Sequence, residues 1–171
     1  MKKSRYTGIA LGAFIAAAYA VLTYSSAFFG LAYGGVQFRV SEALTILSIF
    51  TPYAIPGLAV GCIFGNLTSP YGIIDIICGT SATFFAAVAA YLLRKIKIKN
   101  LPLLSISMPI FANGVIVGAE IAFFMPEGFA YPVFFLQGGL VAVGESVVIL
   151  LLGVPFYIFL RKRKKNLFEL T

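Results

Sequence analysis

Histidine and tryptophan are missing from this sequence, and cysteine occurs only at positions 62 and 78. Without histidine, His-ligated zinc sites and nucleophilic catalysis by Ser/His or Cys/His pairs are excluded. Cys62 and Cys78 stand apart in apolar segments and form no CxxC motif, so they predict free buried thiols and no disulfide framework. No GxxxxGKS/T motif occurs, so the chain has no phosphate-cradling loop of that kind for ATP hydrolysis. These absences disfavour an enzyme and predict neither a metal nor a cofactor.

Charge is also scarce. Charged residues make up 11% of the 171 residues, against about 25% in an ordinary soluble domain. Residues 6–38 and residues 43–74 contain no charge at all, and 60% of the chain is hydrophobic. Because no soluble surface can be built from such stretches, a soluble globular protein is excluded. The sequence predicts an integral membrane protein whose single membrane domain covers residues 1–171.

The basic residues are clustered. Residues 2–5, 94–99 and 161–165 contain every lysine and arginine except Arg39, and they give the chain a net charge of +7. These clusters flank apolar spans and form no continuous face, so membrane topology and anionic lipid headgroups explain them better than nucleic acid does. The positive-inside rule then predicts that all three clusters lie on the cytoplasmic side.

Apolar runs and turn residues predict the spans. They lie at about 6–29, 42–51, 54–67, 73–93, 104–124 and 131–160. An even number of crossings brings all three basic clusters to one side. The prediction is therefore an all-α integral membrane protein with six transmembrane helices, with both termini cytoplasmic and with helices two and three short. A single broken helix or a re-entrant hairpin over 43–67 stays open as an alternative.

Polar residues inside or beside the spans are candidate binding residues, because ionisable groups are costly within a membrane. With six crossings, most of them fall in the outer half and face one outward-opening pocket. Asn113 lies seven residues, or two helical turns, before Glu120, so both face the same way. The candidates are Arg39, Glu42, Asn66, Asp75, Asn113, Glu120, Gln137 and Glu145.

Structural roles are open for several of these candidates. Asn113 and Gln137 are suited to hydrogen bonds between helices, and Arg39 and Glu42 to an ion pair at the membrane interface. Asp75 is suited to capping a helix N-terminus, and Glu127 reads as a solvated loop residue. For Glu120 and Glu145 ligand contact is favoured, since the spans offer no basic residue to neutralise both.

The composition of the predicted pocket indicates its ligand. Carboxylates only accept hydrogen bonds, and amides both donate and accept, so a neutral or cationic molecule with several N–H donors is complementary. Phenylalanine and tyrosine, 15% of the chain, can stack on a flat ring. A purine-like base with an amino group fits this description, and an anion does not.

The first span carries small residues every four positions: Gly8, Gly12, Ala16 and Ala20, with Ala13 and Ala17 alongside. Such a ridge lets another helix approach closely. The partner is either another helix of the same chain or a separate subunit.

Several stretches resemble the QueT family, which comprises substrate-binding S components of energy-coupling factor (ECF) transporters proposed to import queuosine precursors. The most specific are SEALT at 41–45 and AIPGL at 54–58, and Ser48 stands where the family pattern would have proline. Further similarity lies in residues 61–66, 109–120 and 143–155, so the resemblance covers most of the chain.

The resemblance implies a six-helix S component in a bacterial cytoplasmic membrane, with a membrane coupling subunit docked on Ala13, Ala16, Ala17 and Ala20. It implies two ATPase subunits elsewhere and an aminomethyl-deazaguanine ligand. Glu120 and Glu145 would bind the guanine edge and the ammonium group of this ligand, one group each. Asn113 and Gln137 would serve the ring carbonyl. An S component for another vitamin or purine, and an autonomous proton- or sodium-coupled secondary transporter, are the alternatives.

Overall fold

The protein is described by a computed structural model that covers residues 5–33, 35–126 and 128–167, with side chains described from residue 6 to residue 163. Lys2, Lys3 and Glu127, which the sequence analysis interpreted, lie outside the described residues. All regular secondary structure in the described residues is helical, apart from an isolated β-bridge between Ile98 and Leu101.

Six helical segments follow one another along the chain. They are α1 (Arg5–Phe28), a 3₁₀ helix (Val40–Ile49), α2 (Ala54–Gly65), α3 (Ile73–Leu93), α4 (Leu103–Phe123) and a long last segment made of α5 (Tyr131–Val148), a π-helical turn (Ile149–Gly153) and α6 (Val154–Leu167). The predicted order and number of segments is therefore confirmed, and most boundaries agree within about two residues. A 3₁₀ turn at Asn66–Thr68 extends α2.

Four of these segments are long and apolar enough to cross a bilayer: Tyr6–Phe28, Ile73–Leu93, Leu103–Phe123 and Tyr131–Arg163. The two short ones were correctly predicted to be short. At about 2.0 Å per residue the 3₁₀ helix is about 20 Å long, and at about 1.5 Å per residue α2 is about 18 Å long. Neither reaches the roughly 30 Å of a hydrocarbon core unaided, so the count of six crossings stays a prediction.

The second segment differs from its prediction in start and in type. A helix was expected over 42–51, whereas the structure has a 3₁₀ helix from Val40 to Ile49. Hydroxyl groups explain the tighter winding: Thr45 donates to the carbonyl of Glu42 at 2.6 Å, and Ser48 donates to the carbonyl of Thr45 at 2.7 Å. Three-residue spacing suits a 3₁₀ helix, on which such residues align along one side. The serine that departs from the family pattern therefore has a structural role.

The 3₁₀ helix is the centre of the bundle. It contacts α1, α2, α3, α4, α5, α6 and the π-helical turn, while α1 to α4 each pack against the next α-helix in sequence. Glu42, Thr45 and Ser48 are all buried along it. A polar stripe thus runs through the middle of the protein, and the other helices surround it.

The last segment contains an interruption that the sequence analysis did not predict. The helical turn widens to the π form over Ile149–Gly153, immediately before Pro155. Proline lacks an N–H and its ring collides with the carbonyl four residues earlier. A π-turn spreads the backbone at that point and lets the helix continue to Leu167 instead of ending near residue 160.

Small residues allow α1 and α2 to touch through their backbones. A Cβ added to Gly57 would lie 2.5 Å from the carbonyl oxygen of Gly12, and one added to Gly61 would lie 2.7 Å from that of Ala16. The Gly12–Ala16 part of the small-residue ridge therefore packs against a helix of the same chain, which was one of the two open alternatives. Ala13 and Ala17 are exposed, and Ala20 is half-buried.

The close approach of α1 and α2 generates a stability prediction. Gly57→Ala should lower the free energy of unfolding by about 1–3 kcal/mol, because the new methyl group forces two backbones apart. Gly139→Ala is the matched control, since nothing lies within 4 Å of its added Cβ, and it should leave stability unchanged or slightly higher. Thermal unfolding of both purified variants in one detergent measures the difference, and equal stabilities would contradict the helix packing described here.

Candidate functional site

One end of the bundle gathers the polar residues that the sequence singled out. They lie at the start of the 3₁₀ helix and of α3, at the end of α2, and along α4 and α5, and all are buried. This interior polar cluster consists of Arg39, Glu42, Asn66, Asp75, Asn113, Glu120, Gln137 and Glu145. Hydrogen bonds or electrostatic interactions connect all of these residues except Gln137, which is grouped with them by burial alone, so a shared pocket stays a prediction.

Arg39 pairs with Asp75, not with Glu42. The Nη2 atom of Arg39 lies 3.2 Å from Oδ2 and 3.4 Å from Oδ1 of Asp75, and both side chains are 2% exposed. Asp75 sits in the first turn of α3, where Gly72 occupies the N-cap position and no side chain caps the helix. The capping role considered for Asp75 and the Arg39–Glu42 pair are therefore both replaced by a buried ion pair between residues 36 positions apart.

The ion pair has further partners that fix its position. Arg39 Nε donates to the carbonyl of Ala32 at 3.2 Å, and its guanidinium lies 5.2 Å from the centre of the Tyr33 ring. The Asn66 side-chain amide donates to the carbonyl of Asp75 at 3.0 Å. Arg39, Asp75 and Asn66 thus tie the α1–3₁₀ connection to α2 and α3, although Oδ1 of Asn66 has no hydrogen-bond partner.

Glu42 is held by two hydroxyl groups that the sequence analysis did not identify. The Tyr19 hydroxyl donates to Oε1 of Glu42, and the Thr83 hydroxyl donates to the same oxygen at 3.1 Å. Oε2 has no hydrogen-bond partner. Two donors on one oxygen fix the carboxylate and leave the other oxygen available. No local sequence signal marks Tyr19 and Thr83, since they lie 23 and 41 positions from Glu42.

Unpartnered polar atoms concentrate on the remaining members of the cluster. Oε2 of Glu145 and both carboxylate oxygens of Glu120 make no hydrogen bond, although these residues are 1% and 6% exposed, respectively. Buried polar groups in folded proteins are paired in the great majority of cases, because an unpaired one costs about 1–3 kcal/mol. These atoms are therefore able to form hydrogen bonds with a group outside the chain.

Electrostatic influence connects the acids to each other. Glu145 lies close enough to Glu42 and Arg39 for their charges to interact with its carboxyl group. Glu120 interacts in the same way with the charges of Asp75 and Arg39. The side chain of Asn113 in turn interacts with the carboxyl group of Glu42. The described part of the cluster has four carboxylates and one guanidinium, and Asp75 neutralises the guanidinium. The cluster therefore has the electrostatics to attract a cation or a group of N–H donors.

The connection between α1 and the 3₁₀ helix closes over the cluster. Ala32 and Gln37 are buried, and the Phe38 N–H donates to the carbonyl of Leu31 at 2.8 Å. A Cβ added to Gly144, the neighbour of Glu145, would lie 2.1 Å from the carbonyl oxygen of Gln37. Glycine at 144 thus lets Gln37 lie directly against α5, next to the helical position of Glu145.

The two cysteines are free thiols, as predicted. Cys62 is buried and Cys78 is half-buried. Cys62 lies at the edge of the cluster, with its sulfur 3.4 Å from the Thr83 hydroxyl.

Removing the negative charge of Asp75 and removing that of an unpaired acid should have different effects on the stability of the protein. Asp75→Asn should destabilise the protein by about 3–5 kcal/mol, because it leaves a buried guanidinium without a counter-charge. Glu145→Gln should stabilise it or leave it unchanged, because it removes a buried charge that has no cation partner among the described residues. Thermal unfolding without ligand measures both, and a destabilisation by Glu145→Gln as large as that by Asp75→Asn would contradict this division of roles.

Comparison with known proteins gives three results. No solved structure matches the chain significantly. The queuosine precursor transporter QueT of Lactococcus lactis subsp. cremoris (strain MG1363) is 33% identical over 97 residues. This alignment covers 57% of the chain and 57% of the relative, so the chain spans a little over half the length of that protein.

The family match extends much further along the chain. The pattern of the QueT transporter family matches residues 9–162, which include every described helix except the ends of the first and the last. Together with several helices that are long and apolar enough to cross a bilayer, this match identifies a multi-pass membrane transport protein. The chain belongs to the QueT transporter family.

Proposed function

We propose that this protein is the substrate-binding S component of an ECF-type importer and that it takes up a queuosine precursor, an aminomethyl-deazaguanine base. One observation carries the proposal: three buried carboxylates, Glu42, Glu120 and Glu145, have no cation partner among the described residues and retain unpaired oxygens. Family membership and the name of the Lactococcus relative support the substrate class. The absence of a phosphate-cradling motif is consistent with ATP hydrolysis in separate subunits.

The ligand has two groups that carboxylates recognise. The guanine-like edge presents adjacent N–H donors, which a carboxylate with two free oxygens accepts as a pair. Glu120, with both oxygens unpaired, is suited to this edge. The ammonium requires negative charge from more than one side, and Glu42 and Glu145 are close enough to influence each other. We therefore assign the ammonium to that pair, and the ring carbonyl to the amides of Asn113 and Gln137.

Transport in this proposal requires partners. A membrane coupling subunit would dock on the outer face of α1, where Ala13 and Ala17 are exposed. A groove of about 370 Å³ between α1 and α2 begins beside Ala13 and continues along Gly12, Ala16 and Gly57. Small residues allow a foreign helix to approach such a groove closely. Two ATPase subunits would drive reorientation of the whole S component, and the substrate would enter from outside a bacterial cytoplasmic membrane through the end that holds the polar cluster.

An autonomous secondary transporter is the second candidate, because unpaired buried carboxylates are also suited to carrying protons or sodium ions. Uptake by this chain alone in liposomes, abolished by an ionophore and indifferent to ATP, would favour it over the S component. An S component for another vitamin or purine would reveal itself by thermal stabilisation with that ligand and not with deazaguanines.

Neutralising the proposed ligand contacts should weaken binding. Glu120→Gln and Glu145→Gln should each raise the Kd for the aminomethyl base by about ten- to a hundredfold, since a hydrogen bond to a charged group contributes about 1.5–3 kcal/mol. Isothermal calorimetry on the purified protein measures the change. Ser146→Ala is the matched control on α5, because its hydroxyl bonds only the carbonyl of Ala142 in its own helix. Unchanged affinity in both glutamine variants would remove the assignment.

Larger side chains on the exposed face of α1 should reduce transport without weakening substrate binding. Ala13→Leu and Ala17→Leu should keep the Kd within about twofold and reduce uptake at least about tenfold, because a larger side chain blocks close helix approach. Gly139→Leu, an equal addition at an open position on α5, should leave uptake intact. Ala16→Leu is unsuitable for this test, since Ala16 packs against Gly61 within the chain. Full uptake by both α1 variants would exclude a coupling role for this face.

A further inference from the structure

A second polar site lies at the opposite end of the bundle from the interior polar cluster. It is a cavity of about 410 Å³ where α3 and the 3₁₀ helix end and α6 passes. Its lining contains four basic side chains: Arg94, Lys95, Lys97 and Arg161. Phe50 and Tyr157 form an aromatic wall, with their ring centroids 5.3 Å apart. A carboxylate-free lining of this kind is the reverse of the interior polar cluster.

The two arginines of this basic cavity are fixed by the backbone around them. The Arg94 guanidinium lies 3.5 Å from the centre of the Tyr91 ring and donates to the Tyr91 carbonyl. Arg161 donates to the carbonyl of Asn100 at 2.7 Å. Asn100 itself sits in a tight turn, with positive φ at both Lys99 and Asn100. Each guanidinium thus has one backbone carbonyl partner beside the cavity.

The positive charge of the basic cavity is not neutralised by the described chain. The one salt bridge among the described residues, Arg39–Asp75, lies at the other end of the bundle. Like charges around a cavity of this size repel, and an anion bound between them removes the repulsion. Guanidinium groups bind phosphate oxygens in pairs and lysine ammonium groups supply further charge, so a phosphate group is the complementary ligand.

The location of the basic cavity identifies the source of the phosphate. It lies where the apolar part of α3 ends, and the helices α3 and α6 and the residues that follow α3 carry exposed apolar side chains that include Leu92, Ile96 and Phe159. That is the depth at which lipid headgroups meet hydrocarbon. We propose that the basic cavity binds the phosphate group of an anionic phospholipid, whose acyl chains lie along the exposed apolar side chains of α3 and α6.

The test is lipid binding by the purified full-length chain, measured by native mass spectrometry with phosphatidylglycerol and phosphatidylcholine. The wild-type protein should bind one phosphatidylglycerol in preference to phosphatidylcholine. Lys95→Gln/Lys97→Gln should weaken that binding roughly thirtyfold, from the loss of two charges near the phosphate. Lys162→Gln/Arg163→Gln removes the same charge from exposed positions that do not line the cavity and should change it by less than about threefold.

Two controls make the result decisive. Lys95 and Lys97 are exposed, so thermal unfolding in lipid-free detergent should be unchanged in the double variant, and each single variant should give an intermediate loss. Equal weakening by the two double variants would overturn the proposal in favour of diffuse surface charge. Displacement of the lipid by an equal concentration of soluble glycerol phosphate would overturn it in favour of a free phosphate ligand.

Discussion

Four carboxylates and one guanidinium are buried together at one end of this bundle. The chain provides counter-charges and hydrogen bonds to some of these groups and not to others. Arg39 and Asp75 neutralise each other, and Tyr19 and Thr83 satisfy one oxygen of Glu42. The other acids retain oxygens without any bond. Because charge in a low-dielectric interior is costly unless it is paired, the proposed function has a bound cation offset this imbalance. The binding proposal follows from that deficit.

The fold brings these buried charged groups together. Glu42 lies near the start of the 3₁₀ helix, which contacts α1 to α6 and the π-helical turn. The connection that leads into this helix is held by Arg39 on one side and lies against Gly144 on the other. The described part of this connection therefore contacts both the ion pair and the helix that carries Glu145.

Sequence reasoning predicted the helical segments well, because apolar runs, prolines and basic clusters mark their ends. It also selected the buried polar residues, since ionisable groups in such runs are few. It missed the 3₁₀ winding, which depends on hydroxyls of Thr45 and Ser48 bonding carbonyls three residues back. It offered Glu42 as one structural partner for Arg39 and did not identify Asp75, because tertiary partners 36 residues apart leave no local signal.

The most direct test of the central claim compares two ligands on the unaltered protein. Calorimetry would measure the Kd of the aminomethyl-deazaguanine base and of the same base with a neutral hydroxymethyl group in place of the aminomethyl group. If the uncompensated acids bind a cation, the aminomethyl base should bind at least about tenfold more tightly, as expected for a hydrogen bond to a charged group. Equal affinity for the two bases, or preference for the neutral one, would contradict the account.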